Sequence, residues 1–255
     1  MRNWAQPVIT TVRLRFGTSI ASPALKARRM MLVDDVGLWC EICRKDVGGG
    51  PALFLDRDGV VVEDTQYLGR AEDLRLLPGS PTAIGRCNQL GIPVVLVTNQ
   101  SGIGRGYYDW SAFRAVQTAL TDQLAAQGAH FDAVLACAYH EEGREPFRIL
   151  NHGWRKPKPG MLYEAAKRMS LRLADSWIIG DHATDIEAGV AAKLAGGVLL
   201  SGEHPGVDSD LVQSLAPADF MVEVSIGLEP AVLSLLSVGH FRGVNAVIAN
   251  RVGHY

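Results

Sequence analysis

The sequence predicts an α/β fold, a central parallel sheet with helices on both faces in a three-layer, Rossmann-like arrangement. Three observations carry this. Short, continuous apolar runs bounded by Gly and Pro recur along the chain, as buried parallel strands do. Segments with apolar residues three and four apart separate them. Polar clusters stand at the carboxyl ends of several runs, where open parallel sheets place their ligands.

The elements follow in order. Residues 39–44 read as a short strand carrying Cys40 and Cys43. Their C-x-x-C spacing also invites a zinc reading, but zinc needs a second close pair and Cys87 and Cys137 stand alone. After the Gly48-Gly49-Gly50-Pro51 breaker, Ala52-Leu53-Phe54-Leu55 reads as a buried strand ending in charge. A helix over 81–90 closes at Gly91, and residues 92–97 form the next strand. Phe113, Val116, Leu120 and Leu124 set an amphipathic helix over 110–127. A strand over 131–137, a helix over 161–169, a strand over 176–180, a helix over 183–194 and a strand over 197–200 complete the alternation.

Composition bounds the function classes. With 255 residues, 47% hydrophobic and 20% charged, the chain is ordinary for a globular protein and long enough for a sizeable core. A net charge of −2 argues against a nucleic-acid partner, and no apolar run approaches the length of a membrane span. The chain is expected to be cytoplasmic, with no membrane partner, and able to act as a monomer. Residues 1–33 hold six basic and no acidic residues. That start admits a transit peptide, or an upstream start codon with Met30 or Met31 as the true first residue. Residues 1–35 are therefore expected to be a disordered or spurious extension, 36–205 the domain, and 206–255 a tail without a motif.

Four polar clusters would meet on one rim: Asp56-Arg57-Asp58-Gly59, Thr98-Asn99-Gln100-Ser101, Arg155-Lys156-Pro157-Lys158 and Gly180-Asp181-His182-Ala183-Thr184-Asp185. In extended backbone residues i and i+2 share a face, so Asp56 and Asp58 point into one site. Adding Asp181 gathers negative charge that needs a cation. Oxygen ligands of this kind suit Mg²⁺, which also binds substrate phosphate. A carboxylate attacking a phosphate dianion needs that metal and Lys156 to screen repulsion. Thr98 and Asn99 offer neutral donors to phosphate oxygens. Asp58 is placed to give a proton to a leaving alkoxide and to take one from water. Each cluster alone has a bland reading, such as a solvated turn, a helix cap or a surface lysine. Four in order at strand ends do not.

These segments resemble the four motifs of the haloacid dehalogenase (HAD) superfamily. The resemblance implies a HAD-type fold with a minimal cap. It makes Asp56 the nucleophile and Asp58 the general acid/base. Thr98 and Lys156 become the phosphate-binding pair; Asp56, the Asp58 carbonyl and Asp181 become the magnesium ligands, with Asp185 in support. Phe54 to Gly59, Val97 to Gly106 and Arg155 to Met161 are more closely similar to the D-glycero-D-manno-heptose 1,7-bisphosphate 7-phosphatases of subfamily IIIA, which histidinol-phosphate phosphatases share. That family implies a small phosphorylated sugar as substrate. It implies sugar contacts from Asp64, Thr65, Gln66 and Tyr67, further phosphate-side contacts from Asn99, Gln100 and Ser101, and a second-phosphate role for Arg155, whose guanidinium suits bidentate binding.

Two departures stand out. At the family's four zinc-ligand positions this chain has Cys137, Tyr139, His152 and Trp154, so no zinc is expected and packing must hold that loop. His182 stands where the family usually has Lys. The alternative activities are histidinol-phosphate or another small-metabolite phosphatase and, more remotely, a non-hydrolytic nucleotide-binding protein using Gly102-x-Gly104-x-Gly106. That run lacks the G-x-G-x-x-G spacing and follows the wrong strand. Intact Asp56, Asp58, Lys156 and Asp181 argue against a silent scaffold.

Overall fold

The computed structural model describes residues 32–44, 47, 49–201 and 217–241. Among these residues seven strands form one sheet in the order β1-β4-β3-β2-β5-β6-β7. They are β1 (Leu38–Ile42), β2 (Leu53–Leu55), β3 (Val94–Asn99), β4 (Ala133–Cys137), β5 (Trp177–Gly180), β6 (Gly196–Leu200) and β7 (Met221–Ser225). All pair in parallel except β1, which runs antiparallel to β4 at one edge. The helices among the described residues are α1 (Ser80–Gln89), α2 (Ser101–Arg105), α3 (Trp110–Ala125), α4 (Gly160–Met169), α5 (Ala183–Ala191) and α6 (Leu228–Ser237). The expected α/β architecture is present, with element ends shifted by one or a few residues.

The buried strands explain the apolar runs. Every residue of β2, β4, β5 and β6 is buried, because helices cover both faces. Alternate residues feed two cores. Leu53 and Leu55 pack with Phe113, Leu120 and Trp177 on one side, and Phe54 packs with Met161, Leu162 and Ile178 on the other. Helix α3 starts where Asp109 accepts the Ala112 amide at 2.9 Å, a cap worth about 1 kcal/mol.

Two expected boundaries move. Residues 32–35, assigned to the extension, belong to the domain: Leu32 bridges Trp39, and Asp34 accepts the amides of Val36, Gly37 and Leu38. The rest of the basic start lies outside the described residues, as do 202–216 and 242–255 of the expected tail. Within that tail, β7 pairs with all of β6, and α6 buries Leu228, Ala231, Val232 and Leu235 in the first core. The sheet therefore runs on past 205.

Between β2 and β3 the chain forms a loop tied by bridges Asp58–Val62 and Val62–Leu76, a 3-10 turn at Ala71–Asp73, and α1. No separate domain is inserted there, which leaves the strand-end rim uncovered by a large cap. Among the described residues no helix is long and apolar enough to cross a membrane.

Candidate active site

Strand β2 lies in the middle of the sheet, and Asp56 follows it directly. The Asp56 amide donates to the Ile179 carbonyl at 3.0 Å, which carries the strand pairing one residue further. One Asp56 oxygen accepts the Arg57 amide at 2.7 Å and is ion-paired with the Lys156 ammonium 2.9 Å away. Lys156 is buried, and its ammonium also meets Asp185 at 2.6 Å and the Val97 carbonyl at 2.9 Å. The two carboxylates hold Lys156 protonated against the effect of burial. Burial pushes Asp56 up to about 7, with Asp185 and Asp58 adding to it and Lys156 opposing.

Asp58 is on the same rim and held from two sides. Arg57 Nε donates to both of its oxygens at 3.1 and 3.2 Å, and Arg57 Nη2 to one of them at 3.0 Å. Gln100 Nε2 reaches Asp58 at 3.3 Å and Thr98 Oγ1 at 2.8 Å. The guanidinium of Arg57 is buried and lies 5.6 Å from the Phe113 ring centroid. Arg57 was not among the expected site residues. A charged residue between two aspartates reads as solvated, and only its burial shows otherwise.

Several expected donors have other work. Asn99 clamps the backbone of Lys156: its Nδ2 donates to the Lys156 carbonyl at 3.1 Å and its Oδ1 accepts the Lys156 amide at 3.0 Å. Gln100 is buried within the rim network, whereas Ser101 opens α2 half-buried. The glycines of α2 answer to packing rather than to phosphate. A Cβ on Gly104 would come 2.2 Å from the Ala138 carbonyl, so the nucleotide-cradle alternative loses its motif.

The fourth cluster follows β5. Asp185 is buried and accepts the His182 amide at 3.1 Å at the start of α5. Asp181 Oδ1 lies 2.7 Å from His182 Nδ1, and this hydrogen bond lifts His182 to about 9. The Asp181 contact favours the protonated imidazole at the position where the resembled family has Lys. Asp181, His182 and Asp185 each place a ligand atom within 4.8 Å of the others. Asp181 also sits against the backbone at Gly59, where a Cβ would lie 2.0 Å from its Oδ2. Asp181 and Asp185 thus offer carboxylate oxygens within 4.8 Å of each other, a donor type that fits a hard divalent cation. Cys40 and Cys43 face opposite cores, which removes the paired zinc reading.

The loop after the first cluster is exposed at Asp64, Thr65, Gln66 and Tyr67. Asp64 accepts the Gln66 amide at 2.7 Å, and the Tyr67 ring lies 4.5 Å from that of Tyr107. A cavity of about 140 Å³ is lined by His140, Glu141, Asn151, Arg155, Lys156, Pro157 and Lys158. Arg155 Nη1 is buried without a hydrogen-bond partner. Beside this cavity the expected packing is present: Tyr139 lies 4.4 Å from His152 ring to ring and hydrogen-bonds Asp34, and His152 accepts the Trp154 amide.

A family model for HAD-hydrolase-like proteins matches residues 153–223. The chain is 49% identical over 173 residues to a D-glycero-beta-D-manno-heptose-1,7-bisphosphate 7-phosphatase of Mesorhizobium japonicum, covering 66% of this chain and 78% of that one. The chain belongs to the HAD-like phosphatase family. A second such phosphatase, from Rhodopseudomonas palustris, is 42% identical over 147 residues, covering 57% and 81%. Among solved HAD-like structures, a putative phosphatase from Mesorhizobium loti aligns with a TM-score of 0.67 at 42% identity, covering 81% of this chain and 98% of that one. A D,D-heptose 1,7-bisphosphate phosphatase from B. bronchiseptica, complexed with magnesium and phosphate, aligns at 0.62 and 30% identity, covering 74% and 99%.

Proposed function

We propose that this chain removes the 7-phosphate of D-glycero-D-manno-heptose 1,7-bisphosphate, with Mg²⁺ as cofactor and Asp56 as nucleophile. The observation that carries the reading is the Asp56–Lys156–Asp185 ion-pair chain at the end of the central strand, with Asp58 beside it. Asp56, the Asp58 carbonyl and Asp181 would hold the ion, with Asp185 behind them. When bound, the ion screens the repulsion between carboxylate and phosphate.

Asp56 attacks phosphorus; an Asp56 oxygen–phosphorus bond forms as the bond to the sugar oxygen breaks. Asp58 passes its proton to that oxygen. Water then attacks the aspartyl-phosphate, its proton returns to Asp58, and Asp56 and inorganic phosphate are released. Thr98 supports the phosphoryl oxygens. Lys156 favours the ionised form of Asp56 and orients it, a role that its ion pairs with Asp56 and Asp185 support more strongly than direct phosphate binding.

The unpaired Arg155 nitrogen beside the cavity supports a second anionic group in the substrate, as a bisphosphate has. Asp64, Thr65, Gln66 and Tyr67, exposed on the loop after Asp58, would contact the sugar. The two named relatives support the β anomer.

The test is phosphate release from both anomers of the heptose bisphosphate, from histidinol phosphate and from p-nitrophenyl phosphate, with and without Mg²⁺. The expected result is Mg²⁺-dependent turnover with kcat/KM for the β-bisphosphate at least about tenfold above histidinol phosphate, the scale of one added charge-assisted contact. Preference for histidinol phosphate would move the assignment to that activity.

A further inference from the structure

The proposed chemistry needs Asp58 within hydrogen-bond reach of the leaving oxygen, and Asp58 does not hold that position by itself. Its second support is Gln100, whose amide could point either way. Two donors converge on Gln100 Oε1: the Tyr108 hydroxyl at 2.6 Å and Arg57 Nη2 at 3.2 Å. Oε1 is therefore the acceptor end. Nε2 must face the other way, toward Asp58 Oδ2 and Thr98 Oγ1. Burial pushes the Tyr108 phenol up to about 12, so it remains a donor at neutral pH.

Tyr108 is itself fixed by backbone. Its ring lies against Gly102 of α2, where a Cβ would come within 2.3 Å, and against Gly69, where a Cβ would come within 3.0 Å. Gly69 ends the loop that carries Tyr67, and the Tyr67 ring meets Tyr107. Tyr108 thus joins the exposed 64–67 loop to the support of Asp58.

We infer that Tyr108 is a positioning residue, which sets the Gln100 amide and through it holds Asp58 where it protonates the leaving alkoxide. The inference rests on the phosphatase reading above. Tyr108 touches neither the reacting atoms nor the metal ligands Asp56 and Asp181, so its effect is selective. A leaving group that departs as an alkoxide needs the proton, whereas p-nitrophenolate, a weak base, departs without it. A loss of about 1 Å in placement costs on the order of 100-fold in rate, and Arg57 still holds Asp58 in part.

The experiment measures kcat/KM, which reports the steps through release of the alcohol, for Tyr108→Phe against wild type. The substrates are heptose 1,7-bisphosphate and p-nitrophenyl phosphate, with saturating Mg²⁺. The expected result is a loss of about tenfold on the sugar phosphate, exceeding the loss on the aryl phosphate at least fivefold. Gln100→Met, which removes all four hydrogen bonds at similar volume, should show the same selectivity with a larger loss. Equal losses on the two esters, or no loss on the sugar phosphate, overturn the inference. Asp56→Asn is run alongside. If it keeps turnover of both esters, the phosphatase mechanism fails and the inference with it. If it abolishes both while Tyr108→Phe acts uniformly, only the inference fails.

Discussion

Asp56→Asn is expected to lower kcat by roughly 10⁴-fold or more on every phosphomonoester, because an amide cannot form the covalent intermediate. The same change should be benign for stability, and pH decides by how much. Burial raises the Asp56 carboxyl from 3.8 to about 7 in the metal-free protein. A group raised in this way favours the folded state fully below about 3.8, and that contribution is lost as pH rises through about 7. Asn does not titrate and loses nothing across that window. Thermal unfolding in EDTA should therefore show the Asn variant gaining on wild type between about pH 4 and pH 7. A constant difference in Tm across that range would mean that Asp56 is not held at a raised pKa. Retained turnover would remove it as nucleophile.

Lys156→Met carries the second large effect, on both activity and fold. The ammonium is the shared counter-charge of Asp56 and Asp185, and both the lysine and Asp185 are buried. Removing it leaves two carboxylates facing each other without compensation, which costs about 3–5 kcal/mol. For a domain of this size that is a fall of about 10 °C in Tm. Phosphate release should fall with it, since Asp56 then stays protonated to higher pH. Adding Asp185→Asn to Lys156→Met should return part of the lost stability but not the activity, because the two sites share one interaction. A Lys156→Met protein that melts with wild type would show that the ion-pair chain contributes nothing to folding.

The sequence carried the fold where burial was complete. Ala52 to Leu55 and residues 92–97 could be read as strands because both faces of the sheet are covered, so no polar alternation blurs the run. It did not carry β7, whose Met221 and Val224 are exposed at the sheet edge, so the segment lacks an uninterrupted apolar signature. Helix α2 was missed because Ser101-Gly102-Ile103-Gly104-Arg105 has the composition of a loop; its glycines answer to the Ala138 carbonyl and the Tyr108 ring, distant in sequence or hidden by the turn. The acidic residues of the site were legible because strand ends and i, i+2 spacing determine where they point. The uncharged ones were not. Asn99 and Gln100 look the same in sequence whether they bind phosphate or a neighbour, and Asn99 finds its partner 57 positions away. Arg57 and Tyr108 had no local signal at all, since their meaning lies in burial and in a shared contact with Gln100.

The order of the strands has a further consequence, visible in amide exchange. Strand β2 lies fourth of seven, bracketed by β3 and β5, so the strand leading into Asp56 is the furthest from either edge. Strands β1 and β7, drawn from opposite ends of the domain, close the two edges with one paired side each. Opening a boundary strand exposes few neighbours, while opening β2 requires the whole sheet to part. Deuterium should therefore enter β1 and β7 first and the amides of Leu53 to Asp56 last, at the rate of global unfolding. A partly opened molecule that has shed its rim strands would still carry its phosphoryl acceptor on intact backbone, so loss of turnover on heating should lag behind the first loss of protection at the edges.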